Sequence, residues 1–176
     1  MSLLCGLAAT RMAPHNFGPV SHRDQTLYTA CRPGNPAGKT DAVSDEAVKE
    51  WIHFMKEQGI QKVLCLLDEN EYGNYCTNLC KQYSDGGLRY LCQPMKEPGA
   101  NTKVIQYIQE ACDNDEKVVA HCTGGVGRAG RVAAAWLVHR YGLTPTEATQ
   151  ETLAAAEQAA TNRKADSDTL AAWLDP

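Results

Sequence analysis

A cysteine and an arginine with five residues between them, Cys122 and Arg128, stand in a run rich in glycine, His121-Cys-Thr-Gly-Gly-Val-Gly-Arg-Ala-Gly-Arg131. Cysteine is the most nucleophilic side chain once ionised. Arginine offers a planar fork of N–H donors that suits the oxygens of a phosphoryl group. Gly124, Gly125 and Gly127 open backbone conformations closed to other residues and let the chain approach a ligand closely. Thr123 to Gly127 can therefore aim their amides at an oxyanion, helped by the positive end of a helix that follows. The same field would stabilise a thiolate at Cys122.

Spacing alone is weak support, because Cys5 and Arg11 share it. That pair has no full strand before it and only one glycine inside, so it reads as a decoy. The second pair sits in a strand–turn–helix context. Residues 117–121 (Lys-Val-Val-Ala-His) form a buried strand that feeds straight into Cys122, and Val132, Trp136 and Leu137 mark a helix ending at Gly142.

Other elements must hold this loop. Residues 27–30 and 88–92 read as short strands, and the continuous apolar run at 62–67 as a buried one. Val48, Trp51, Ile52 and Met55 mark a helix over 44–58 capped by Ser44. Tyr72, Tyr75, Leu79 and Tyr83 suggest a second helix, weakened by Gly73. A third opens at Asn101. Thr144, Pro145 and Glu147 give a strong start signal for the last clear helix. Strands alternating with helices imply an α/β fold, a central mostly parallel sheet flanked by helices, with residues 1–26 as an irregular lead-in and 27–176 as one domain. Active sites in such sheets lie at the carboxyl ends of strands, where residue 122 falls.

The loop resembles the signature loop of the cysteine-dependent protein tyrosine phosphatases, and the order of elements looks like their dual-specificity branch. The resemblance spans roughly 27–160. It implies that Cys122 attacks phosphorus to form a phosphocysteine, that Arg128 binds the phosphate together with residues 123–127, and that His121 orients the loop and tunes the thiol. Ala129 departs from the family's Ser or Thr, which implies slower breakdown of the phosphoenzyme. The family's acid is an aspartate on an upstream loop. The matching stretch, Pro94-Met95-Lys96-Glu97-Pro98, holds only Glu97 as an acid, with Asp68 as runner-up and more simply a helix cap. Asp113 and Asp115 lie too close to the last strand.

The chain has 176 residues, 43% of them hydrophobic and 22% charged, enough for one folded core. A net charge of −4 argues against a nucleic-acid partner, so phosphate binding must come from a local field. No apolar run reaches the ~18 residues of a membrane span, and the start lacks a secretory signal, so a cytoplasmic, monomeric protein is expected. Eight cysteines then read as reduced thiols. Cys65 is a modest candidate for redox protection of the nucleophile. Cys76 and Cys80 are one turn apart but lack partner ligands, and Arg32 could add charge near the pocket. Neither a metal nor a cofactor is required by this chemistry. The neutral loop interior disfavours highly charged lipid headgroups, so a phosphorylated protein is the first substrate expected, on tyrosine or on serine and threonine. A small-molecule or lipid phosphate, a weakly active phosphate-binding module, and redox or arsenate chemistry on a similar loop are the alternatives.

Overall fold

A computed structural model describes residues 12–35 and 42–175. Five strands form one sheet in the order β1 (Gly18–Pro19), β2 (Leu27–Cys31), β5 (Lys117–Cys122), β3 (Ile60–Cys65), β4 (Arg89–Cys92). Strands β2, β5, β3 and β4 are parallel, and only β1 runs antiparallel to its neighbour. The apolar run at the centre explains this placement. Leu64 and Val118 to Ala120 are fully buried, as strands covered on both faces must be.

Helices α1 (Asp45–Glu57) and α2 (Leu79–Asp85) cover one face. The other is covered by α3 (Ala100–Asp113), α4 (Gly127–Tyr141), α5 (Pro145–Gln158) and α6 (Ser167–Leu174). The expected caps are in place: Ser44 accepts from the Ala47 amide at the start of α1, and Thr144 with Glu147 forms a capping box at α5. No helix among the described residues is long and apolar enough to cross a membrane.

Three expectations need correction. The helix foreseen from Tyr72 to Tyr83 is two pieces, a 3-10 turn at Glu69–Asn74 and then α2. Its break has a local cause: the Asn78 side chain accepts from the Lys81 amide and starts a new helix. The second correction is α6, started by Asp166, whose Oδ1 accepts from the Thr169 amide. The third concerns residues 12–26, which are built into the domain. Polar anchors rather than apolar periodicity hold them there. Asp24 accepts from the Thr26 and Leu27 amides at 3.0 and 2.7 Å and from the Trp136 indole at 2.7 Å. The Cys5–Arg11 decoy lies outside the described residues.

The register draws four cysteines into one row. Cys31 is paired with Cys122, Cys65 with His121, and Cys65 with Cys92, all at the carboxyl ends of their strands. The thiol in register beside Cys122 is therefore Cys31, while Cys65 is aligned one residue earlier.

Candidate active site

Cys122 closes β5 and is 3% exposed. The chain then turns through Thr123 to Val126 and enters α4 at Gly127. Only Gly125 among the loop glycines has a left-handed backbone, φ +71°, and a Cβ there would strike the Ala30 carbonyl group at 2.4 Å. It is the one loop glycine that both conformation and close packing against β2 demand. A Cβ at Gly127 would meet open space. No side chain caps α4, so its first-turn amides and dipole are available to an anion in front of the loop.

Arg128 comes back over that loop. Its Nη1 donates to the Leu66 carbonyl at 2.8 Å and to Glu71 Oε2 at 2.5 Å. Its Nη2 donates to Glu71 Oε1 and to Thr123 Oγ1, both at 2.8 Å. Asp68 Oδ2 lies 3.6 Å from Nη1. Glu71 also accepts from the Thr123 hydroxyl and from the Asp68 amide, so one carboxylate ties the guanidinium, the loop and the turn after β3 together. Burial alone would raise the Glu71 carboxyl, but the hydrogen bonds from Arg128 and Thr123 outweigh it and hold it at about 2. Glu71 is thus ionised throughout the neutral range and serves as an anchor. The same pairing raises Arg128.

His121 is fully buried and meets the Tyr83 hydroxyl through Nε2 at 2.7 Å, with the Trp51 ring edge-on at 5.5 Å. Burial lowers its pKa to about 4, so it stays neutral beside the thiol. Ala129 is fully buried at the start of α4. Arg32 contributes to the loop through its backbone amide, which donates to the Thr123 carbonyl at 3.1 Å, while its guanidinium stands over the Tyr75 ring.

The structure thus brings together Cys122, residues 123–127, Arg128 and His121. Glu97 stands on an exposed turn after β4, where its Oε2 accepts from Gln93 Nε2 at 2.8 Å. Glu71, absent from the sequence reading, is the added member. Its available signal was an acid three residues past Asp68, at the end of a strand adjoining β5. Cys65 donates to or accepts from the Tyr72 hydroxyl at 3.3 Å.

A glycine-rich loop at an uncapped helix start, a cysteine at its base and a tethered arginine make this the candidate site of the α/β sheet. The chain matches the family described as the Swiss Army Knife protein DSP-PTPase phosphatase domain over residues 37–172, and it belongs to that family. Its fold is similar to kinase-associated phosphatase carrying a serine in place of the catalytic-site cysteine (TM-score 0.72, 18% identity, 94% of each chain covered). It is also similar to the active form of Tk-PTP (0.64, 19%, 93% of this chain and 98% of that one). A third likeness is to PTPMT1 in complex with PI(5)P (0.64, 14%, 90% and 94%). No curated protein matches the chain.

Proposed function

We propose that this chain hydrolyses phosphomonoesters of proteins through a phosphocysteine on Cys122. The observation that carries the reading is the meeting of Cys122, the uncapped start of α4 and the Arg128 fork around one loop. The Cys122 thiolate attacks phosphorus, an S–P bond forms and the ester P–O bond breaks. Water then cleaves the S–P bond and releases phosphate. Arg128 and the loop amides hold the equatorial oxygens as charge spreads over them.

The substrate class follows from charge. Thr123-Gly-Gly-Val-Gly127 carries no lysine to meet additional phosphates, which favours a single phosphate on a protein side chain. The test is the initial rate on phosphotyrosine and phosphothreonine peptides beside vesicles containing phosphatidylinositol 5-phosphate. The peptides are expected to be turned over faster. A faster lipid rate would replace the protein reading with a lipid one.

The leaving oxygen needs a proton. Asp68 stands 3.6 Å from Arg128, whereas Glu97 is bonded to Gln93 on an exposed turn, so position favours Asp68 as the acid. Asp68→Asn is expected to lower kcat for phenyl phosphate on the order of 100-fold, the usual contribution of a general acid. It should act far less on p-nitrophenyl phosphate, whose leaving group needs little protonation. Glu97→Gln is expected to leave both rates within about twofold. The opposite pattern would return the role to Glu97.

A further inference from the structure

The outer surface of the catalytic loop is bonded at every carbonyl from 123 to 126. The Thr123 oxygen accepts from the Arg32 amide at 3.1 Å and from Asn35 Nδ2 at 2.8 Å. The Val126 oxygen accepts from the Gly130 and Lys164 amides at 3.1 and 3.2 Å. The two glycine carbonyls between them are held by one side chain. Asn16 Nδ2 donates to the Gly124 oxygen at 3.1 Å and reaches the Gly125 oxygen at 3.4 Å.

Asn16 is itself fixed from the far side. Its Nδ2 donates to the Asn162 carbonyl at 2.8 Å, and its Oδ1 accepts from the Asn162 amide at 2.6 Å. The carboxamide has two N–H bonds, so one serves Asn162 and the other is shared by the two loop carbonyls. The backbone that delivers it is unusual. His15 and Asn16 both sit in the left-handed region, at φ 53° and 50°, which L residues seldom adopt in succession. Asn tolerates this region best among residues with side chains, and the His15 ring is steadied edge-on against Phe54 at 4.9 Å.

A trans peptide unit points its C=O and the next residue's N–H in opposite directions. Holding the Gly124 and Gly125 oxygens outward therefore turns the Gly125 and Val126 N–H groups away from Asn16, toward the side where an anion would lie. We propose that Asn16 is a positioning residue of the cradle, aiming those two amides at the substrate phosphate from a segment more than a hundred residues away in sequence. The proposal rests on the phosphatase reading above.

Two variants of the full chain separate aiming from plain stability. Asn16→Gly removes the carboxamide where glycine is at ease, so the backbone path is retained. Asn16→Asp keeps an acceptor for the Asn162 amide but sets a carboxylate against two carbonyl oxygens. The measurements are kcat and KM for p-nitrophenyl phosphate, Ki for inorganic phosphate, and the melting temperature. Both variants are expected to raise Ki and KM about tenfold, the scale of one lost hydrogen bond to a charged ligand, with Asp the worse. A segment that only stabilises the fold would lower the melting temperature or the active fraction and leave Ki as in the wild type, and that result overturns the proposal. If Asn16→Asp does not fold, Asn16→Gly decides alone. A wild-type chain that neither hydrolyses the ester nor is inhibited by phosphate overturns the phosphatase reading and this proposal with it. A wild-type chain that does both, with variants matching its Ki, overturns this proposal alone.

Discussion

Cys122→Ser is expected to lower kcat on an aryl phosphate on the order of a million-fold, the scale on which other enzymes lose activity with their nucleophile. Serine nearly preserves the shape of a side chain that is 3% exposed, so the loop, the α4 start and the Arg128 tether should all persist. What disappears is the ionisable group. A thiol ionises far more readily than an alcohol, and sulfur is the stronger nucleophile of the two. Two measurements check this. Turnover of p-nitrophenyl phosphate should vanish, while inorganic phosphate should still bind the variant by calorimetry. Acid quenching of the wild type during turnover should trap phosphate on Cys122, and none on the variant. Turnover within tenfold of the wild type would remove Cys122 from the mechanism.

How much of this site the sequence discloses depends on how far apart its members lie. The loop is legible because strand, cysteine, turn and arginine are contiguous from Lys117 to Arg131, and each step carries its own signal: an apolar run, glycines, then helical spacing. The supports are not legible. Glu71 belongs to a 3-10 turn whose apolar pattern mimics a longer helix, and it meets Arg128 only because β3 lies beside β5 in the sheet. Asn16 sits where periodicity is lowest, and its role comes from four hydrogen bonds to carbonyls and an amide, which leave no trace in a hydrophobic pattern. Glu97 shows the limit of pattern matching. Its place after β4 matched a family pattern, but the turn directs the side chain to Gln93. The cysteine beside Cys122 is subject to the same limit. Strand order decides that it is Cys31, and no local feature of residues 27–31 announces which strand adjoins β5 on that side.

Arg128→Lys is the second large effect expected, a fall in kcat of about 10³- to 10⁵-fold, the range that a transition-state arginine supplies to phosphoryl transfer. The change keeps a positive charge, so charge alone is not what is being tested. Arg128 uses its fork twice. Toward the protein, Nη1 and Nη2 grip both oxygens of Glu71 while also reaching the Leu66 carbonyl and the Thr123 hydroxyl. That fixes the planar group in orientation and engages both N–H bonds of each Nη, so a phosphoryl group meets the remaining Nε–H or takes over part of this set. A lysine ammonium has three donors around one nitrogen and cannot span the two oxygens of Glu71 in the same plane. It would either pair with Glu71 and withdraw from the substrate, or turn to the substrate and leave the carboxylate without its partner. The Glu71 side chain is only 19% exposed, so the second choice is penalised. The lysine is therefore expected to stay with Glu71, giving a protein of nearly wild-type melting temperature with a collapsed kcat and a smaller change in KM. Steady-state kinetics with p-nitrophenyl phosphate and a thermal melt read the three quantities together. A kcat within tenfold of the wild type would mean that a point charge suffices at this position, and the tether from Glu71 would then have no catalytic purpose.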